Sequence, residues 1–410
     1  MDTTNYEFEI FDLISKCLDK DETILMDKHY DFRLPNGFKK LKWEGNTVIE
    51  IKYRLTYDSM PYIKSFLGSP NEKNFVIIFI DQNVLPNILR SEQKKEHSIK
   101  IIKYAQLIAD IKKKSEINTQ ISETEKEITY KKYHEEKNEN IKEKLKNTLK
   151  NNKISIFVGA GVSKSAGVVD WNGLLKRLCE KRKINNTILN NQYNNLTQGR
   201  YIVDKYKDSL KKERKIPRQF YADIRSILYK EREHKTNPFK LINSIVALTN
   251  KCRIESVISY NYDNLLEQKI KGKCQSVYDK SRPTDNETLQ IYHVHGFVPE
   301  TGRYSQIVLG EKEYHKVYQE VYNWGNVEQL HALCRSSCLF IGLSMTDPNL
   351  RRLMDISNDG TEVPRVHYAF LCKSEFDVPI MESMMYGFGV NCVWYDDYDD
   401  LPVLLNELIS

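Results

Sequence analysis

Two groups of residues have the types and the spacing to do chemistry. The first is Gly159-Ala160-Gly161-Val162-Ser163, which follows directly on the apolar run Ile154 to Val158 and leads through Gly167 into a helical pattern. Glycines at such a turn let the backbone approach a diphosphate without a side chain in the way. Amide N–H groups at the start of the next helix can then bind the anion. A tight strand-to-helix turn with no ligand has the same local pattern. The second group is Asp31 with Glu50 and Lys52. Asp31 lies in one strand-like run, Tyr30 to Leu34, and Glu50-Ile51-Lys52 lies in the next, Thr47 to Tyr53. Residues two apart on a strand share a face, so Glu50 and Lys52 can face a site that also holds Asp31. Two carboxylates can hold Mg²⁺, and a lysine beside them can stabilise charge on a phosphate or orient a water. The bland alternative is a charged, solvated strand face.

Further motifs follow the glycine turn in a particular order. Asp170-Trp171 comes just after it, Ser259-Tyr260-Asn261-Tyr262-Asp263 and His295-Gly296 each end a strand-like run, and Gly342-Leu343-Ser344 precedes Asp347. Together these resemble the four motifs of the sirtuins, in the family's order, across roughly 250 residues. The resemblance implies an NAD-binding α/β domain and cleavage of the bond between nicotinamide and ribose. It implies that Asn261 holds the nicotinamide-side ribose or an attacking water. His295 would act as general base, a task that suits a histidine near neutral pKa. Asp263 would orient the Asn261 loop. Ser163 and the amides of Gly159, Ala160 and Gly161 would contact the diphosphate, with Asp170 and Trp171 alongside. Gly342, Ser344 and Asp347 would sit near the adenosine half, although Asp347 before Pro348 is equally a helix N-cap. His293, two residues before His295, reads as structural.

Departures from the protein-deacetylating sirtuins are informative. The interval from His295 to Gly342 holds only Cys334 and Cys338 and no Cys-x-x-Cys pair, so no zinc is expected. With no acyl-lysine groove implied, water becomes the nucleophile. The pattern resembles the sirtuin-like NADases of bacterial anti-phage defence, which deplete NAD⁺ after infection. That resemblance implies an NAD⁺ glycohydrolase, with ADP-ribose cyclisation left open as a product route. It also implies a homo-oligomer, restrained until a partner ATPase or a phage-derived trigger releases it. The Asp31, Glu50 and Lys52 arrangement resembles the restriction-endonuclease-like PD-D/ExK fold, in which Glu7 or Glu9 on the first helix would add a ligand and DNA would be the substrate. Two alternatives remain: a metal-dependent DNA nuclease whose sirtuin-like domain senses a nucleotide, and a non-catalytic module that binds ADP-ribose or NAD⁺.

The elements that must position these groups fall into three zones. Residues 1–90 open with a helical pattern at Ile10, Phe11, Ile14 and Leu18, then give strand-like runs ending at Phe75 to Ile80. This is the small α/β, nuclease-like domain. Residues 91–152 carry neither Gly nor Pro and are densely charged. Ile101, Tyr104, Ile108 and Ile111 make one apolar face there, and Ile141, Leu145 and Leu149 another, so a helical connector is expected. Residues 153–410 alternate strands and helices, which predicts a Rossmann-like, doubly wound parallel sheet. The formal net charge of +6 over 410 residues does not by itself argue for nucleic acid. Mean hydropathy is −0.57, low enough to suggest exposed helix. Eight scattered cysteines fit a reducing compartment better than a disulfide framework. The acidic start lacks a secretory apolar region, and no window approaches the apolar length of a membrane span, so a cytoplasmic protein without membrane contact is expected.

Overall fold

The computed structural model describes residues 4–27, 30–55, 74–83, 98–114, 123–190, 192–208, 216–270, 274–280, 287–320, 322–358 and 366–410. The chain forms two compact units. The first comprises Met1–Leu145 with Gly360–Pro364 and Phe376–Gly387. The second comprises Lys146–Asp359, Arg365–Glu375 and Phe388–Ser410. Among the described residues, no helix is long and apolar enough to cross a membrane.

The first unit is built on one sheet. Its described strands are β1 (Leu25–Met26), β2 (Phe32–Leu34), β3 (Thr47–Leu55), β4 (Asn74–Asn83) and β5 (Ser98–Lys103), in that spatial order. The pairs β1–β2 and β2–β3 are antiparallel, whereas β3–β4 and β4–β5 are parallel. The first helix, Thr4–Ser15, buries Ile10, Phe11 and Ile14 against Phe32, Ile49, Ile51 and Tyr133. The expectation of a purely helical connector over 91–152 is corrected here. Ser98–Lys103 pairs with β4, and Leu107 and Ile111 of the helix Tyr104–Lys114 enter the same core. Ile101, read as one step of a helical face, instead lies in a strand. The alternating Ser-Ile-Lys-Ile-Ile-Lys run supports either reading, and pairing with the buried β4 decides between them. The long helix Glu123–Asn151 follows.

The second unit is a seven-stranded sheet among the described residues, with every neighbouring pair parallel. The strands are β6 (Ile154–Val158), β7 (Ile254–Ser259), β8 (Cys274–Val277), β9 (Leu289–His293), β10 (Ser337–Ile341), β11 (His367–Cys372) and β12 (Val390–Tyr395). Their spatial order is β12-β11-β10-β6-β7-β9-β8. The doubly wound parallel sheet expected from the alternating pattern is therefore present. The edge strand β8 was not legible, because Gln275 and Ser276 break any apolar run. β6 and β10 are buried along their whole length, as a central parallel strand must be. The polar exception in β6, Ser155, is satisfied by Ser256 at 3.1 Å and Ser336 at 2.7 Å. The chain order runs outward from β6 through β7, then returns to β10 on the other side. That reversal lies at the carboxyl ends of β6 and β10, the place where open α/β sheets hold ligands.

Phe157 of β6 and Phe340 of β10 pack across this seam with ring centroids 4.9 Å apart and planes tilted by 51°, and both are buried. Phe157→Ala should lower stability by about 3–5 kcal/mol, the usual cost of deleting a buried aromatic side chain. Urea unfolding measures it. A loss below about 1 kcal/mol would mean that the seam collapses to fill the cavity and does not depend on this contact.

Candidate active site

The glycine turn after β6 packs against the turn after β10. Gly159 N–H donates to Ile341 O at 3.0 Å and Gly161 N–H donates to Gly342 O at 2.9 Å. There is no room for a side chain at the contact. A Cβ on Gly159 would stand 2.4 Å from Gly342 O, and one on Gly342 would stand 2.7 Å from Val162 N. Gly342 also has φ +66°, in the left-handed region that favours glycine.

Asn261 lies just beyond β7. Its side-chain amide donates to Gly159 O at 2.9 Å, so it reaches across to the glycine turn. Ser259 Oγ accepts from Asn261 N–H at 3.2 Å. Asp263 is buried, and its two oxygens accept from Ser163 Oγ–H at 2.7 Å and Leu265 N–H at 3.1 Å. Burial pushes the Asp263 pKa above the usual carboxylate value, with the two hydrogen bonds acting the other way. Ser163, expected to contact a diphosphate, has a partner within the protein. Its hydroxyl hydrogen is committed to Asp263, leaving only acceptor capacity toward an anion. Ser163 instead ties the glycine-turn helix to the Asn261 loop. The backbone amides of Gly159 and Gly161 are likewise committed to Ile341 and Gly342.

His295 follows β9 and is buried. Its ring meets the Tyr260 ring edge-on at 4.7 Å, and its backbone carbonyl accepts from Val308 N–H at 2.8 Å. Burial pushes its pKa below the usual histidine value, partly offset by the Asp347 carboxylate. Gly296 has φ +100°, and a Cβ there would stand 2.3 Å from Gln306 O. The residue after His295 is therefore held to glycine by backbone shape. The two loops are stitched together as well, since Val294 N–H donates to Ser259 O at 3.1 Å.

The remaining sequence-predicted residues divide. Asp347 accepts from Leu350 N–H at 2.8 Å, the capping bond of helix Pro348–Asn358, and also acts on His295 electrostatically. The cap is the reading of Asp347 that a hydrogen bond in the structure matches. Asp170 caps helix Trp171–Arg182 through Gly173 N–H at 3.0 Å. Ser344 is exposed, with its hydroxyl 2.7 Å from that of Thr346. Trp171 packs 6.3 Å from the Tyr262 ring, and its buried indole N–H has no partner among the described residues. A buried donor left unmade is costly, so it marks a point where a bound molecule would be stabilised. Sequence reasoning passed over Tyr260 and Glu267. It also read His293 as merely structural, although His293 contacts the Asn261 backbone. A cavity of about 510 Å³ opens beside the His-Gly turn, lined by Tyr278, His293, Gly296, Ile307, Glu313 and Trp324 among others. Such a volume suits a small-molecule site.

In the first unit, Asp31, Glu50 and Lys52 are brought together as expected. Ile51 N–H donates to Asp31 Oδ2 at 2.6 Å, and Lys52 Nζ is 2.5 Å from Glu50 Oε1. Burial raises the Asp31 pKa well above its ordinary value, and the like charges of Glu50 and Glu7 raise it further. Burial works against the charge on Lys52, but Glu50, Tyr386 and Asp31 outweigh it and raise its pKa. Glu7 is held by Lys137 at 3.2 Å, whereas Glu9 accepts from the Tyr104 hydroxyl. Among the described residues, no three acidic, histidine or cysteine side chains converge closely enough to hold a metal ion.

The second unit is thus a parallel-sheet α/β domain whose two glycine turns and Asn261 loop meet at the carboxyl ends of its central strands. A sequence model of the SIR2-like domain matches residues 255–384, a stretch that includes Asn261, His295 and Gly342 to Asp347. Two curated relatives carry the name NAD(+) hydrolase ThsA. The chain is 25% identical over 287 residues to the one from Enterococcus faecium, covering 62% of this chain and 54% of that protein. It is 24% identical over 244 residues to the one from Cytobacillus dafuensis, covering 57% and 44% respectively. The chain thus spans about half the length of the curated relatives it matches.

Ser163→Ala would leave one oxygen of the buried Asp263 without a partner. The expected cost is about 1–3 kcal/mol of stability, read by thermal melting. Asp263→Asn at neutral pH should cost less than Ser163→Ala, because it removes the charge that burial disfavours. The reverse order would show that the ionised Asp263 is the form the fold needs.

Proposed function

We propose that this chain hydrolyses NAD⁺ to nicotinamide and ADP-ribose, and that it serves anti-phage defence by depleting NAD⁺. The observation that carries this reading is the buried His295, kept neutral by its environment and packed against Tyr260, the residue before Asn261. A neutral imidazole can accept a proton from water. Asn261 would hold the ribose or the water, and the glycine turns would let the dinucleotide lie close to the backbone. Water attacks the anomeric carbon as the bond to nicotinamide breaks, and the bonding pair leaves with the neutral nicotinamide. His295 takes the proton from the water. The Trp171 indole N–H, without a partner among the described residues, would donate to the bound dinucleotide. The names of the curated relatives support the same substrate. An activity that empties the cell's own NAD⁺ calls for restraint, and assembly of copies, a partner ATPase or a phage-derived trigger would supply it.

NAD⁺ consumption by the purified chain, with products separated by chromatography, tests the reading. His295→Ala and Asn261→Ala should each lower turnover by about 10²–10⁴-fold, the range for general acid–base groups. The lowered His295 pKa places the acid limb of activity below the ordinary histidine value of about 6.5. Activity should therefore fall only as the pH drops through that lower value. Nicotinamide with ADP-ribose supports hydrolysis, and nicotinamide with a cyclic product supports cyclisation. Full activity in both variants would end the assignment.

A second reading applies to the first unit. The placement of Asp31 beside the Glu50–Lys52 pair favours a metal-dependent nuclease centre, in which the two carboxylates would need waters to complete a cation's shell. Asp31 and Glu50 would hold Mg²⁺, which would polarise a DNA phosphate, and Lys52 would neutralise charge beside it. Mg²⁺-dependent DNA cleavage that both Asp31→Ala and Lys52→Ala abolish would support this. Cleavage that survives either substitution would assign it to something else.

A further inference from the structure

His293 occupies the last position of β9, two residues before the proposed base, and is 1% exposed. Both of its ring nitrogens face oxygen acceptors. Nδ1 lies 3.0 Å from the backbone carbonyl of Asn261, and Nε2 lies 2.6 Å from Glu267 Oε1. A backbone carbonyl has no proton to give. A neutral imidazole carries one N–H and cannot donate in both directions, whereas an imidazolium can. The Glu267 oxygen also accepts from Ser276 Oγ–H at 2.9 Å, so donors from two elements converge on one carboxylate. The Phe297 ring lies 4.3 Å away and closes another side.

We propose that His293 is a positioning residue for Asn261, acting as an imidazolium that bridges the Glu267 carboxylate to the Asn261 backbone carbonyl. This rests on the reading that Asn261 serves NAD⁺ cleavage. The bridge gives the carbonyl of Asn261 a charged donor while the side chain of the same residue turns toward Gly159. Loss of the proton forces a choice between the two acceptors. The remaining N–H favours the charged Glu267 oxygen, and the Asn261 carbonyl then faces a lone pair. The loop relaxes, and the amide that reaches Gly159 O moves with it.

The surrounding charges set the direction of the pH response. Glu267 comes from helix Leu265–Ile270 and Asp263 from the loop after β7, and both favour the charged ring. Asp279, Glu313, Lys316 and Glu320 line the cavity that His293 borders. Burial alone would lower the His293 pKa, but Glu267, the Asn261 carbonyl and Asp263 outweigh it and raise the pKa above the usual value. With a raised folded-state pKa, the contribution of the bridge is complete below the unfolded value of about 6.5 and is lost as pH rises through the folded value. His295 is shifted the other way. The two histidines thus bracket a window in which His295 is neutral and His293 is charged, as expected of paired groups whose environments pull their pKa values apart.

The test uses the full chain labelled with ¹⁵N. The His293 ring nitrogens are followed by NMR against pH, together with the Asn261 side-chain amide, assigned by its loss in Asn261→Ala. Turnover of NAD⁺ is measured in parallel for wild type, His293→Leu and Glu267→Gln. We expect both His293 nitrogens to be protonated at neutral pH and the Asn261 amide signal to move with the same midpoint as the ring. His293→Leu should lower kcat by about 10- to 100-fold, the scale of a roughly 1 Å misplacement, with little change in KM. In Glu267→Gln a neutral ring suffices, since it can donate to Asn261 O and accept from the glutamine amide. The alkaline limb of kcat that follows His293 should therefore disappear. A neutral His293 at neutral pH, an Asn261 signal that ignores the titration, or wild-type kcat in His293→Leu would each overturn the proposal. If wild type consumes no NAD⁺, the functional reading fails, and the two NMR titrations still decide whether His293 positions Asn261.

Discussion

The second unit depends on the contact between two glycine turns. The backbone of Gly159 to Gly161 lies directly on that of Gly342, with hydrogen bonds at 3.0 and 2.9 Å and no space for a Cβ on either side. This contact joins the carboxyl ends of β6 and β10, where the sheet reverses its order. It also places Gly159 O where the Asn261 amide can reach it at 2.9 Å. Any side chain at these positions would push the two strand ends apart and take Asn261 with them. The site is therefore built outward from a backbone contact.

From that contact a chain of polar groups carries order to the neighbouring loops. Ser163 holds Asp263, Asp263 holds the start of helix Leu265–Ile270, and Glu267 on that helix holds His293. His293 returns to Asn261. The circuit is closed, and its members Ser163, Asp263 and His293 are buried, so these are expensive to leave unpaired. Its composition also separates the two histidines of the Tyr-His-Val-His-Gly run. His293 sits among carboxylates and a carbonyl, and its pKa rises. His295 sits beside the Tyr260 ring, and burial lowers its pKa. One strand end thus supplies a cation and a neutral base two residues apart, because their surroundings differ in charge.

The first unit shows the same physics with carboxylates. Asp31, Glu50 and Glu7 crowd one another, and Lys52 and Lys137 balance part of the charge. The helix Val378–Tyr386 adds Glu382, 3.2 Å from Lys137, and Tyr386, which acts on Lys52. These two residues come from a segment remote in sequence that nevertheless belongs to this unit. No local pattern could have announced that.

The sequence by itself determined the parallel sheet, its glycine turns and the order of the motifs. Buried parallel strands must be written as apolar runs, and backbone contacts this close must be written as glycine. It also placed Asp31 with Glu50 and Lys52, since alternation along a strand sets which residues share a face. It did not reveal the strand Ser98–Lys103 or the edge strand Cys274–Val277, whose residues fit more than one element until a partner strand pairs with them. Nor did it show that Asp170 accepts from Gly173 N–H or that Ser163 donates to Asp263. Tertiary structure alone decided those contacts, together with the opposite pKa shifts of His293 and His295. A side chain's protonation and its hydrogen-bond partner depend on groups brought near by folding, and spacing along the chain does not encode them.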